Sequence, residues 1–254
     1  MRYIFYFLLS WVSFELKSQD SLMIFDRPGI ADSPYLVPEK SYFLENGIGF
    51  TEKTQVGDLL YPSIMLRKRI FKFSELRVAT STFPQSARLM QSVTEVNPLV
   101  ASIGVKQKIA REKKWRPESA FILNTYYNVS QKSPSKLANF LWEGQLLFQS
   151  TLNNWFSVNY NLGYIHNVNL NQHYVNQSTC FNFQLSPKTS AFVENFNYFS
   201  LQSGNQEFSY DFGLTHLISK NIQLDLSYIA NHKNSTHFGT ILTGVSLNLP
   251  FKKY

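Results

Sequence analysis

The sequence predicts an all-β fold: a transmembrane, antiparallel, up-and-down β-barrel of about 12 strands behind an N-terminal proline-containing arm. Three observations predict it. From Ser41 onward, alternating strand-like segments of roughly ten residues recur about twelve times. The connections between them run long, short, long, short. A signal-like N-terminus precedes them, and no long apolar helix appears in the chain.

Composition points the same way. The 254 residues suit one large all-β domain. The chain holds 22 Phe and 14 Tyr, and aromatics make up 16% of it. A membrane barrel uses such rings as girdles, because an amphipathic ring sits well between headgroup and acyl chain. A mean hydropathy of −0.20 would be wrong for a helical membrane protein. It is expected of a barrel whose polar interior and loops dilute an apolar outer face. The formal net charge is +7, but the Lys and Arg are scattered. The densest cluster, residues 111–116, falls at a predicted turn near lipid phosphates. Nothing matches a nucleic-acid-binding module. The one cysteine, Cys180, excludes an intrachain disulfide and has no metal-ligand spacing around it.

The elements follow in chain order. Residues 1–18 read as a signal peptide: Met1-Arg2, then an apolar stretch from Tyr3 to Phe14 too short to span a bilayer as a helix. No cysteine follows it, so lipoprotein processing is not expected. Residues 19–40 read as a periplasmic arm or plug. They hold Pro28, Pro34 and Pro38 and show no alternation, so they cannot be a central strand. Residues 41–254 read as the barrel. Its strands are predicted at 41–50, 59–70, 74–82, 98–110, 117–128, 141–152, 155–167, 177–187, 189–201, 207–219, 222–231 and 236–249. Asn153-Asn154 and Lys220-Asn221 suit two-residue hairpins, since Asn tolerates positive φ. Long extracellular loops and short periplasmic turns would explain the alternating connections, and would put the arm on the periplasmic side.

The faces support the strands. In the second, Leu60, Ile64, Leu66 and Ile70 share a face opposite Arg67 and Arg69. In the seventh, Phe156, Val158, Tyr160, Leu162 and Tyr164 oppose Ser157, Asn159, Asn161 and Gly163. The tenth sets Phe208, Tyr210, Phe212 and Leu214 against Ser209, Asp211 and Gly213; the eleventh sets Ile222, Leu224, Leu226 and Tyr228 against Gln223, Asp225 and Ser227. A soluble sandwich would alternate too, but would have to bury all these aromatics against each other. The ninth strand is less regular. Glu194 shares a face with Phe192, Phe196 and Tyr198, which predicts either a position near an interface or a bulge that shifts the register. The last strand puts Ile241, Thr243, Val245, Leu247, Leu249 and Phe251 on one face, like the C-terminal signal read by the barrel-assembly machinery.

The polar face predicts a lumen lined by Glu45, Arg67, Arg69, Glu75, Arg77, Lys106, Lys108, Glu143 and Asp225. Mixed acids and bases can pair and fill a small barrel, or can select solutes. Inward Gly47, Gly49, Gly163 and Gly213 suggest open space. In the arm, Asp26, Arg27, Pro28, Gly29, Asp32, Ser33 and Pro34 are the candidate plug residues, either a rigid stopper or a gate docked on the lumen charges.

The arm carries a family resemblance. Asp26-Arg27-Pro28-Gly29, then Asp32-Ser33-Pro34, then Val37-Pro38, ahead of Glu45, Gly47 and Gly49, resembles the bacterial outer-membrane family named for the meta-cleavage pathway of phenol degradation. So do Phe212-Gly213-Leu214-Thr215, Ile222-Gln223-Leu224-Asp225 and the Gly-containing closing strand. The resemblance implies an outer-membrane β-barrel of a Gram-negative bacterium and, more weakly, uptake of small, apolar or aromatic compounds. Expected partners are outer-membrane lipid and lipopolysaccharide, the barrel-assembly machinery and an unidentified small-molecule solute. No cofactor, metal or nucleic acid is expected. The histidines His166, His173, His232 and His237, with Ser235, fall near the predicted extracellular ends, but show neither a hydrolase pattern nor a metal spacing; His216 falls elsewhere. No catalytic role is expected. Two functions stay open: a channel or transporter with a plug, and a filled structural or lipid-interacting barrel without flux.

Overall fold

The computed structural model describes residues 25–51, 59–82, 99–129, 140–168, 171–233 and 236–251. The expected signal peptide and the first residues of the arm lie outside the described residues. Twelve strands follow the arm: β1 (Ser41–Thr51), β2 (Leu59–Phe71), β3 (Ser74–Ser81), β4 (Val100–Ala110), β5 (Glu118–Asn128), β6 (Phe140–Asn153), β7 (Phe156–Asn167), β8 (Gln172–Ser186), β9 (Thr189–Ser200), β10 (Gln206–Ser219), β11 (Ile222–Lys233) and β12 (Thr236–Pro250). Each pairs antiparallel with its sequence neighbours. β1 closes the barrel against β12, in register from Ser41↔Pro250 to Thr51↔Thr240. Closure leaves no edge, so every strand finds ladder partners on both sides, as a lipid environment requires.

The alternation sorts the side chains. Outside, Ile64, Leu66, Val78, Ile103, Leu123, Leu162, Val193, Phe212, Leu226 and Ile241 are exposed. Inside, Glu45, Arg67, Glu75, Lys106, Asn161, Glu194 and Asp211 are buried. A closed barrel with an apolar exterior of this extent and a charged interior is built for lipid, not water. It is an outer-membrane barrel.

Five register shifts mark the end that carries the short connections. They fall between Arg69 and Phe71, Lys108 and Ala110, Thr151 and Asn153, Gln184 and Ser186, and Leu217 and Ser219. The residues passed over are Ile70, Ile109, Leu152, Leu185 and Ile218, all aliphatic and all exposed. An extra residue in one strand re-aims its side chain and tightens the local twist. Here the bulges turn a ring of aliphatics outward at one rim. Trp115 and Trp155 are exposed at the same end, in the manner of an interfacial aromatic belt.

Four expectations need correction. β8 begins at Gln172, not 177, because residues 172–176, mostly polar, pair with β7 as far as Asn167. The connection after β7 is therefore only 168–171, and that after β11 only 234–235. Both are shorter than 111–117, where a small bridge, Lys113↔Arg116, folds back with Lys114 at a φ of 55°. Strict long-short alternation does not hold. Glu194 is neither interfacial nor displaced by a bulge. β9 pairs with β10 without a shift, and Phe192, Glu194 and Phe196 all point inward and are buried. Lastly, Gly47, Gly163 and Gly213 do not leave open space. A Cβ on Gly47 would fall 2.1 Å from Arg27 Cζ, and one on Gly163 would fall 2.1 Å from Asn176 Oδ1. At Gly213 the Ser227 Cβ would lie at 2.6 Å.

Candidate functional site

Residues 25–40 enter from the end with the short connections and cross the interior. Their contacts on β1, β2, β3, β4, β9, β11 and β12 can be made together only from inside the barrel. The prolines deny this segment a ladder, so its backbone groups are met by barrel side chains. Glu75 Oε2 accepts the Val37 N–H at 2.7 Å, and Glu194 Oε2 accepts the Ile30 N–H at 2.8 Å. Lys106 Nζ donates to the Ser33 carbonyl at 2.8 Å, and Lys108 Nζ to the Pro34 carbonyl at 3.2 Å. Phe25 and Val37 pack together against Phe43 of β1.

Asp26 is the centre of the arrangement. Its Oδ2 lies 3.0 Å from Arg67 Nη1, 2.9 Å from Lys106 Nζ and 3.4 Å from Arg77 Nη1. Its Oδ1 accepts the Ser33 N–H at 3.1 Å and the Ser33 hydroxyl at 2.8 Å, which folds the arm back on itself. Burial alone would raise the Asp26 carboxyl. Arg67, Lys106 and Arg77 outweigh it and hold the group well below the usual carboxylate range. Arg67 also bonds Glu45 and Glu75, each at 2.8 Å, and Arg77 Nη2 bonds Asp32 at 2.8 Å. Burial pushes Asp32 up, against the pull of Arg77 and with the help of Asp26.

Arg27 turns the other way. It reaches Asp225 Oδ1 at 3.1 Å and Oδ2 at 3.3 Å, with Ser63 Oγ and the Thr243 carbonyl each at 3.2 Å. The guanidinium occupies the space beside Gly47 and Gly244, where a side chain would exclude it. Gly29 lies against the Glu194 carboxylate, where a Cβ would come within 3.0 Å of Oε2.

Of the predicted lining residues, Glu45, Arg67, Glu75, Arg77, Lys106, Glu143 and Asp225 are buried inside. Lys108 pairs with Glu118 nearer the turn end. Arg69 stands apart at the rim, 3.4 Å from the exposed Glu39. Glu143 has a neutral setting. It accepts from Tyr126, from Gln145 and Asn176 at 2.9 Å each, and from Asn124 at 3.4 Å. A cavity of about 150 Å³ lies beside the arm between Asp32, Arg77, Met65, Val100, Asn124 and Tyr126.

Sequence reasoning did not list Glu194, Asp211, Glu118 or Ser63 among the lining residues. Asp211 and Ser63 were recoverable from alternation alone. Glu194 was hidden by the phenylalanines on its face. His166 and His173 stack with ring nitrogens 3.2 Å apart, beside Tyr164, while His216 bonds Thr189 at the turn end. The side chains of His232 and His237, and Ser235, lie outside the described residues.

With this geometry in hand, known proteins offer a comparison. The profile of a family described as "Putative MetA-pathway of phenol degradation" matches residues 25–249. No curated protein matches the chain. Among solved structures, the NanC porin aligns with a TM-score of 0.63 at 7% identity, over 81% of this chain and 100% of that one. An outer-membrane channel from Pseudomonas putida F1 aligns with a TM-score of 0.58 at 8% identity, over 87% of this chain and 99% of that one. The CymD monoaromatic hydrocarbon channel gives 0.52 at 9% identity, over 85% and 90%. At these identities the likeness is one of fold.

Proposed function

The chain belongs to this family, and we propose that it is a plugged outer-membrane channel for small solutes with an apolar or aromatic body. One observation carries the reading. The segment across the lumen is held by ion pairs and by side-chain bonds to its backbone, interactions that water can replace, beside two small apolar contacts, Phe25 and Val37 on Phe43 and Ala31 on Cys180 and Phe192. Such a plug can leave and return. The cavity beside Asp32 gives a small solute a place to lie: Met65, Ala79 and Val100 offer an apolar wall, facing the polar Asp32, Arg77, Ser81, Ser102, Asn124 and Tyr126. The CymD likeness of fold agrees with an aromatic solute.

A second reading has its own observation. Ala120, Ile122 and Leu147 are fully buried on the inner wall of β5 and β6, and side chains take the room beside the inward glycines. On that reading the barrel is filled and passes nothing.

Solute entry into proteoliposomes distinguishes them. The mature protein, with and without residues 20–40, is offered a small sugar and a small aromatic. The channel reading expects aromatic entry above protein-free vesicles, and faster entry once the arm is gone. No entry of either solute with either protein, each folded by its heat-dependent gel mobility, would leave the filled barrel.

A further inference from the structure

Two carboxylates on the inner wall have no cation beside them. Glu194 of β9 and Asp211 of β10 stand directly opposite one another in register, and both are fully buried. Glu194 uses Oε2 to accept the Ile30 N–H, while among the described residues its Oε1 and both oxygens of Asp211 have no hydrogen-bond partner. The Ser227 hydroxyl, buried on the same face of β11, lies beside Asp211. On the far side of Glu194 is buried Cys180, and across from Asp211 is the apolar Ile229. Arg27 is the nearest cation of the arm, but it is committed to Asp225, Ser63 and the Thr243 carbonyl. Asp32 is committed to Arg77.

Like charges placed opposite each other in a sheet repel, and a buried carboxylate without a partner bears a heavy desolvation penalty. Something must neutralise the pair. A proton shared between them would cancel one charge and join one oxygen of each, and the second charge would stay. An ion of charge +2 cancels both charges and draws in the free oxygens together. The donors are oxygens only, which suits a hard cation rather than zinc or copper.

We propose that the Glu194–Asp211 pair, with the Ser227 hydroxyl, is a binding site for a hard divalent cation of the Ca²⁺ or Mg²⁺ class. Residues 29–31 of the arm roof it: Gly29 lies against Glu194, and Ala31 packs on Cys180 and Phe192. Among the described residues no group of three or more His, Cys, Asp or Glu is arranged for a metal. Water therefore completes the coordination, and the affinity falls in the range of weak extracellular sites, about 0.1–1 mM. The bound ion ties β9 and β10 to the seat of the arm.

The test is calcium titration of the full mature protein in detergent, by calorimetry and by unfolding temperature, with KCl at matched ionic strength as the control. The wild type should take up one ion per chain and unfold at a higher temperature. Asp211→Asn and Glu194→Gln should fold and lose both effects, while Glu39→Gln at the exposed rim should keep them. No uptake of Ca²⁺ or Mg²⁺ by the wild type, or equal uptake by Asp211→Asn, would overturn the site. Neither outcome depends on whether the barrel conducts.

Discussion

The two inner walls of the barrel carry charge in opposite ways. On β2, β3 and β4, the cations Arg67, Arg77 and Lys106 converge on acids from β1, β3 and the arm. On β6, β9 and β10, Glu143, Glu194 and Asp211 have no ion-pair partner among the described residues. The arm belongs electrostatically to the first wall. Asp26 and Asp32 bring two acids to Arg67, Arg77 and Lys106, which the wall itself matches only with Glu45 and Glu75, whereas Arg27 pairs with Asp225 of β11 and the Ile30 N–H with Glu194 of β9. The arm therefore makes most of its ion pairs on the β2–β4 wall and fewer, through Arg27, Ile30 and Ala31, on the opposite one.

The most severe way to break this asymmetry is Asp26→Ala. Removing one member of a buried charge network typically costs ~3–5 kcal/mol, because the others stay buried and unpaired. The arm should become sensitive to protease and the barrel should unfold at lower temperature. An arm as protected as in the wild type would contradict the asymmetry. Gly47→Leu attacks the seat of Arg27 instead. It fills the place of the Arg27 guanidinium without removing a charge, at a cost of about 1–3 kcal/mol for overpacking. The arm should loosen around residue 27 yet stay anchored at Asp26, visible as partial protease protection. Glu194→Gln, measured without divalent cations, should be milder still. It relieves repulsion with Asp211 and keeps an acceptor for Ile30, so stability should change by less than ~1 kcal/mol.

The smallest effect is that of pH. The Asp26 carboxyl is depressed in the docked arm, so its contribution is present above the free value, near 3.9, and is lost only well below it. Asp32 is raised in the docked arm, so its protonation favours docking as pH falls. Acidification from about pH 7 to about pH 5 should therefore leave the arm docked or slightly tighter. Release over that range, read by protease protection, would put the controlling charge elsewhere.

The strand order and most inward faces were legible because alternation is a local property: Asn159 and Asn161 face in and Tyr160 and Leu162 face out, as the residues alone indicate. The face of β9 was misread because Phe192 and Phe196 are large apolar side chains that turn inward to pack, Phe192 against Ala31 of the arm. The bulges at Ile70, Ile109, Leu152, Leu185 and Ile218 were illegible because a bulge is a relation between two strands, and each segment was read alone. The start of β8 was hidden by polar residues that resemble a loop until His173 is seen beside His166. The pairing of Glu194 with Asp211 was out of reach for the same reason as the bulges: register joins residues far apart in the chain.

The central claim is that residues 25–40 are a removable plug. Conductance across a planar bilayer tests it most directly, comparing the full mature chain with a variant lacking residues 20–40. The account predicts a nearly silent intact protein and clear conducting steps without the arm. Equal conductance from both, or silence from a folded variant without the arm, would contradict it.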